Sequence, residues 1–466
     1  MSRTPFKRPL TRSGAACAVL LGSSGCAGLP TLVPDLADAR PLPVALENAQ
    51  GPLSPARSEA ILERLGRGGQ DTEIFTRHLA REEAIVASPL TTGNEVRLLQ
   101  DGPATYTAML EAIESARDHV HLETYIFDDD DVGRRFADAL IRRQQAGVQV
   151  TVIRDGVGTI GTGAEFFGRM TDSGVTVLEF NPVNPLDAHR GWELNRRDHR
   201  KLLIVDGRVA YMGGINISSV YSGGSSVKGM RPRAAGAPAW RDTDLELRGP
   251  VVAELQKLFL STAAATSGRP LPERAFFPAV PGRGHEVVRA VGSSPEDPYS
   301  LIYATLLSAI GSASTSVHVT NAYFVPDPQL LAALEAAAAR DVAVHLILPG
   351  KSDSTLVLNA GRSYYTQLLR AGVHIHERRG AILHSKTALI DGVWATVGST
   401  NLDWRSFLHN YELNVVVLGS DFGDQVQAMF ARDLAESDEI TLDAWERRSP
   451  AQRLKESFAR LWKYWL

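Results

Sequence analysis

One motif occurs twice in this chain, and its repetition limits the possible folds more than any other feature. His199-Arg200-Lys201-Leu202-Leu203-Ile204-Val205-Asp206 leads to Gly213-Gly214-Ile215-Asn216. His384-Ser385-Lys386-Thr387-Ala388-Leu389-Ile390-Asp391 leads to Gly398-Ser399-Thr400-Asn401. In both copies Lys follows His by two residues, Asp follows Lys by five, Gly follows Asp by seven and Asn follows Gly by three. A lone His-x-Lys on a strand is far more often a surface pair than a site. Agreement at five spaced positions marks the duplication of a large unit, with a period far too long for a solenoid.

The residues ahead of each copy repeat the same order of elements. In the first half, Glu95–Leu99, His119–Phe127, Val148–Ile153 and Val175–Phe180 read as strands, with helical spacing over Tyr106–Ala116, Gly133–Ala146 and Phe166–Ser173. In the second, Ser316–Phe324, Val342–Leu348 and Val373–His376 read as strands between helical stretches. Strands alternating with helices predict an α/β fold of two homologous lobes, each a mixed sheet flanked by helices. The expected divisions are a leader over 1–26, a tether and helices over 27–93, lobes over 94–266 and 286–440, a linker over 267–285, and a C-terminal helix over 441–466. An insertion over Ser222–Ala239, rich in Gly, Ser and Pro and carrying Lys228, Arg231 and Arg233, has no counterpart in the second half. It reads as a surface loop, or as a lid or head-group contact.

The chemistry of the motif follows from strand geometry. A period of two puts His199 and Lys201 on one face, and likewise His384 and Lys386. An imidazole beside an ammonium suits a phosphate: the Lys neutralises the oxygens while a neutral imidazole attacks phosphorus. Asn216, Ser399 and Asn401 supply further hydrogen bonds to phosphate oxygens. Phosphodiester exchange needs a nucleophile on one side and an acid for the leaving alcohol on the other, so two facing copies make one complete site. Each histidine also wants a carboxylate on its second nitrogen. Asp242 and Glu412 each lie seven residues before the glycine that ends an alternating strand. The expectation is that Asp242 orients His199 and Glu412 orients His384, with Asp244 as competitor. Asp206 and Asp391 complete the motifs and suit a strand-end turn. His374 and His376 share a strand face; with no nearby Cys or acid cluster, lining the cleft is the better reading for His376 than holding a metal.

A net charge of −4 argues against broad nucleic-acid binding, which calls for a strongly basic surface. The two cysteines, Cys17 and Cys26, both fall near the N-terminus, so the body has no thiol chemistry. Arg3, Lys7, Arg8 and Arg12 precede a short apolar run, Gly14–Gly22, and then Ser23-Ser24-Gly25-Cys26. This order resembles a bacterial lipoprotein leader with Cys26 as the lipidation site, which implies a periplasm-facing lipoprotein of the cell envelope and is preferred to a plain secretory signal or a disordered leader. From Gln452 to Leu466, apolar residues including Phe458, Trp462 and Trp465 recur at helical spacing among Arg453, Lys455, Arg460 and Lys463. Such a helix fits an anionic membrane surface and the protein's own core equally well.

The paired motifs resemble those of the phospholipase D superfamily, in which each half carries a His-Lys-Asp signature. Leu122–Phe127, Tyr323–Pro326, Leu383–Lys386, Gly398–Asp403 and Arg405-Ser406-Phe407 are most similar to bacterial cardiolipin synthases, and the resemblance runs from Asn94 to Asp438. It implies two α/β lobes related by a pseudo-twofold axis with the active site between them. It implies His199 as the nucleophile forming a phosphatidyl-histidine from phosphatidylglycerol, and His384 as the acid that protonates glycerol and then activates a second lipid. Lys201, Lys386, Asn216 and Asn401 would bind phosphoryl oxygens, with Asp206 and Asp391 completing the signatures and no metal or other cofactor needed. Within the superfamily the alternative is a lipid phosphodiesterase in which water resolves the intermediate. A nuclease is disfavoured by the acidic charge, and a scaffold with a decayed site by two intact motifs.

Overall fold

The structure is a computed structural model that describes residues 31–35, 40–67, 72–184, 186, 192–222 and 239–466. The leader with Cys26 and most of the insertion, residues 223–238, lie outside the described residues.

Fourteen strands build two matched sheets. The first lobe holds β1 (Leu90–Gln100), β2 (His119–Thr124), β3 (Gln149–Asp155), β4 (Thr176–Phe180), β5 (Lys201–Val205), β6 (Val209–Gly213) and β7 (Thr243–Arg248). The second holds β8 (Glu286–Ser293), β9 (Ser316–Asn321), β10 (Ala343–Pro349), β11 (His374–Arg378), β12 (Lys386–Ile390), β13 (Trp394–Gly398) and β14 (Asn410–Leu418). Across the first sheet the order is β4-β3-β2-β5-β6-β7-β1, parallel among β2, β3 and β4 and antiparallel elsewhere. The second sheet repeats it as β11-β10-β9-β12-β13-β14-β8. The edge strands β1 and β8 pair with each other, Thr91 opposite Val288, so the two sheets are continuous.

The motif strand β5 is a continuous apolar run because both of its faces are covered. Leu203 and Val205 face an outer core with Tyr106, Ile113 and Phe136. Leu202 and Ile204 face an inner core shared with Leu389, Val415 and Val417 of the other lobe. Two helices fill that inner layer: α1 (Val251–Ser267), through Leu255 and Phe259, and α2 (Ser420–Ala435), through Phe422, Val426 and Met429. Burying both motif strands between layers holds their first residues rigidly, which is what a site at the strand ends requires.

Helices over Pro55–Arg67 and Leu79–Ile85 precede the first sheet, and Ile74 and Leu79 join the core of the second lobe. The segment between Gly268 and His285 carries neither helix nor strand, and its Phe276 ring meets His119 edge-on and His121 at a tilt. Near the C-terminus, Pro is at the first turn of the helix Pro450–Arg460 (α3) and Ser449 caps it. Its inward face is polar or small: Glu456 and Ala459 are buried and Gln452 donates to Asn359 at 2.9 Å. Its apolar residues point outward, with Leu454 72%, Phe458 59% and Leu461 77% exposed, and Trp465 beyond it 70% exposed. Among the described residues, no helix is long and apolar enough to cross a membrane.

Candidate active site

Each motif histidine is pinned by backbone pairing with the other lobe. Arg197 and Asp198 run parallel to Asn410 and Tyr411, and the His199 N–H donates to the Tyr411 carbonyl at 2.9 Å. By pseudosymmetry Arg241 bridges Leu383, and the His384 N–H donates to the Arg241 carbonyl at 2.8 Å. The residue after Tyr411 is Glu412 and the residue after Arg241 is Asp242, so each acid emerges beside the histidine of the opposite lobe. His199 Nδ1 lies 3.1 Å from both Glu412 oxygens, and His384 Nδ1 lies 2.7 Å from Asp242 Oδ2. The expected pairing within each lobe is therefore corrected: the carboxylates cross. Asp244 is no competitor, because its carboxylate accepts the Ile215 N–H at 3.0 Å and secures the motif turn.

The centre is desolvated and charged. His199, Lys201, His384, Lys386, Asp242 and Glu412 are all buried. Burial, with the neighbouring lysines, lowers the His199 pKa to about 4 despite Glu412. Burial likewise lowers Lys201 to about 7 and Lys386 to about 8. Burial opposes charge on Glu412, but His199, Lys201 and the Ser399 hydroxyl outweigh it and hold the carboxyl below its ordinary range. For Asp242, His384 and Lys386 do the same. Lys386 Nζ stands 3.0 Å from His384 Nδ1, which already faces Asp242. One nitrogen cannot donate and accept along one lone-pair direction, so the shorter carboxylate contact fixes the tautomer, Nδ1–H toward Asp242. Both histidines then present Nε2 to the cleft. Two ammonium and two carboxylate groups balance at rest, so an arriving phosphodiester anion favours uptake of one proton. That splits the pair into one neutral and one charged imidazole.

The remaining motif residues divide by position. Asn216 and Asn401 line the cleft. Asn216 is held by the Ile126 N–H at 3.0 Å and donates to the Tyr221 hydroxyl at 2.9 Å, while Asn401 Oδ1 has no partner. Ser399, expected on phosphate, is fully buried, and its hydroxyl donates to Glu412. That expectation is corrected: the longer acid is within reach and accepts the hydroxyl's hydrogen bond. In the first lobe a Cβ on Gly214 would collide with the Asp242 carboxylate, so the glycine there is a matter of space. Asp206 and Asp391 are also removed from the catalytic set. Each lies seven residues along an extended segment from its histidine, roughly 23 Å at about 3.3 Å per residue. Asp206 accepts the N–H groups of Arg117, Asp118 and His119, and Asp391 those of Ser314, Thr315 and Ser316. Both adopt positive φ at the strand-end turn.

The histidines open onto a cleft of about 650 Å³ between the lobes. Tyr125 meets the His199 ring edge-on at 5.1 Å, and its face lies 5.3 Å from Lys201 Nζ. Tyr221 and Trp240, the described flanks of the insertion, both contact the His384 ring. Ile160, Val357 and Trp465 add apolar wall. The sequence reading missed these aromatics, although Tyr125 and Tyr323 hold matching positions in the two halves. His376 is not on the cleft: its Nε2 lies 3.3 Å from His345 Nδ1 on a separate face of the second sheet. Among the described residues, no group of three or more His, Cys, Asp or Glu is arranged to hold a metal ion.

Comparison with known proteins gives a consistent result. Residues 109–221 and 306–434 match the family model described as "Cardiolipin synthase, PLD-like domain". Cardiolipin synthase 1 of Bacillus anthracis is 35% identical over 384 residues, covering 80% of this chain and 73% of that protein. Cardiolipin synthase 2 of the same organism is 34% identical over 420 residues, covering 90% and 79%. The phosphatidylserine synthase of Haemophilus influenzae Rd KW20 superposes with a TM-score of 0.58 at 13% identity, over 80% of this chain and 95% of that one, and shows the shared fold.

Proposed function

The chain belongs to the phospholipase D-like cardiolipin synthase family and is an enzyme of that class; from that premise we propose that it moves a phosphatidyl group from phosphatidylglycerol to a second phospholipid through a phosphatidyl-histidine. The observation that carries this is the pair of carboxylate-oriented imidazoles facing one cleft, each beside a buried lysine. In the first step His199 Nε2 bonds to phosphorus, the phosphorus–oxygen bond to glycerol breaks, and the glycerol oxygen takes the His384 proton. In the second, the acceptor hydroxyl gives its proton to His384, its oxygen bonds to phosphorus, and the phosphorus–nitrogen bond breaks. Lys201, Lys386 and the two asparagines neutralise charge on the phosphoryl oxygens throughout.

The test is to incubate the purified chain with labelled phosphatidylglycerol in vesicles, with and without chelator, and to separate the lipids. Diphosphatidylglycerol plus glycerol is the expected product pair. Phosphatidic acid alone would favour hydrolysis, and cleavage of oligonucleotide without lipid turnover would sink both lipid readings. A pH dependence follows from the lysines. Each is charged below its pKa, so rising pH removes phosphate affinity, and kcat/KM should fall as pH passes through about 7 to 8. His199, with a pKa near 4, stays neutral and nucleophilic across that window. A pH–rate profile that keeps climbing to pH 10 would contradict the role given to the lysines.

We place the reaction at an anionic membrane surface of the cell envelope. The outward apolar face of α3 leads to Trp465 at the cleft wall, among exposed Arg453, Lys455 and Arg460. A basic helix with its apolar side uncovered suits the interfacial layer of an anionic bilayer. The double variant Leu454→Glu, Phe458→Glu should lower binding to phosphatidylglycerol-containing vesicles at least about tenfold, since each burial contributes on the order of 1.5–3 kcal/mol. Co-sedimentation unchanged from the parent protein would remove α3 from the docking surface.

A further inference from the structure

The two ends of the cleft are not alike, although the fold that makes them is. Matching the lobes through their histidines and through their crossing acids pairs Arg197 with Ile382, Arg405 with Val220, and Asn410 with Trp240. One end therefore carries two guanidinium groups and an amide where the other carries two aliphatic side chains and an indole. Arg197, Arg405, Asn410, Val220 and Trp240 all line the cleft.

Arg197 is the unusual member. It is 1% exposed, yet among the described residues Nη2 has no hydrogen-bond partner, and the nearest carboxylate, Asp155, is 3.5 Å from Nη1. Asp155 is committed elsewhere: it accepts the N–H groups of Val157, Gly158 and Asp198. A buried guanidinium with a free donor is costly unless an acceptor arrives. Across the same end, Asn410 Oδ1 is also unpartnered, while its Nδ2 donates to Glu412. Arg405 reaches Asn195 through Nη1 and Nη2 and, among the described residues, forms no ion pair with a carboxylate. Arg197 lies two residues before His199 on the same extended segment, about 6.6 Å along it. That span is commensurate with a three-carbon glycerol bridge between two phosphates.

We propose that Arg197 and Arg405 form a second anion subsite, which seats the phosphodiester of the second lipid while the first phosphodiester reacts between the histidines. The proposal rests on the phosphatidyl-transfer reading and extends it to the acceptor: a lipid bearing its own phosphate with net negative charge. Guanidinium suits this task because it keeps its charge at every working pH and presents several donors in a plane. Among the described residues, the apolar end, with Val220 and Trp240, offers no such partner.

Two reactions separate the subsite from the reacting centre. Exchange of labelled glycerol into phosphatidylglycerol uses the histidines with a neutral acceptor; diphosphatidylglycerol synthesis needs the second phosphate. In Arg197→Gln and, separately, Arg405→Gln, synthesis at sub-saturating lipid should fall about ten- to a hundredfold, the range for losing a hydrogen bond to a charged group. Exchange should change by less than about threefold, and Arg197→Lys should recover part of the synthesis. Equal loss of both reactions in both variants, or loss of neither, overturns the proposal. A turnover-independent reading uses the His384→Ala background with water-soluble dihexanoyl-phosphatidylglycerol in equilibrium dialysis. Two molecules bound per chain, reduced to one by Arg405→Gln, support the subsite even if the parent protein transfers no lipid, a result that would sink the transfer reading alone. One molecule bound before and after the change overturns the subsite.

Discussion

Glu412→Gln is expected to lower turnover by about three to four orders of magnitude, as when the orienting carboxylate of a catalytic histidine becomes an amide. The loss should be coupled to His199 and not to His384. An amide can donate to Nδ1, which favours the tautomer whose proton sits on Nε2, the atom that must attack phosphorus. Once His199 is replaced by Ala, the added Glu412→Gln change has nothing left to orient and should cost little more. Combined with His384→Ala, it should cost its full share. Asp242→Asn should show the mirror pattern, coupled to His384. Such double-mutant cycles on kcat/KM discriminate because residues acting as one unit are strongly non-additive, while independent ones add. Coupling of Glu412 to His384 would mean that the crossed contacts at 3.1 Å and 2.7 Å are not those of the working enzyme.

His199→Ala and His384→Ala should each leave only a small residual synthesis, but for different reasons and with different traces. Without His199 no covalent intermediate can form, so acid quenching during turnover should trap no labelled lipid on the protein. Without His384 the attack remains possible, but glycerol must leave unprotonated; general acid catalysis of this kind supplies about 10²–10⁴-fold. A slow single-turnover build-up of label on His199 should therefore survive in His384→Ala. Label found on His384 in the parent protein would reverse the two roles, which the near-symmetry of the motifs permits. The different surroundings of the two rings make the distinction measurable: His199 is backed by Glu412 and Ser399, whereas His384 is crowded by Lys386, Tyr221 and Trp240.

The repeat, the succession of strands and helices along each half and the partnership of each histidine with its own lysine are all legible in the sequence, because each depends on local period and spacing. The crossing of Asp242 and Glu412 is not. Both acids follow their own motif in the chain, and nothing in a linear reading says that the segments before β7 and β14 pair with the other lobe. One trace was present: the shorter acid belongs to the lobe with Gly214, and the longer acid to the lobe with Ser399. The structure gives its cause, since Asp242 fills the space beside Gly214 and Glu412 accepts a hydrogen bond from the Ser399 hydroxyl. Asp206 and Asp391 stand at the strand-end turn that the residues themselves suggest, and only the resemblance groups them with the catalytic residues. A fixed spacing marks a shared structural role as readily as a shared chemical one, and the motif strand carries these side chains out of the site. For α3, periodicity revealed two faces but not which one points inward. The choice was set by Gln452, Glu456 and Ala459 meeting the body, which leaves Leu454, Phe458 and Leu461 outside.

The crossing of the carboxylates also bears on how such a molecule arises and how it can be taken apart. Either half alone holds an imidazole lacking its acid and an acid lacking its imidazole. Two copies of one half, related by the same twofold, would complete each other. A single lobe of this kind could therefore complete its site only by pairing with a second copy, and the one chain supplies both halves of the exchange. Around that exchange the halves differ, as Arg197 does from Ile382 at the matching position.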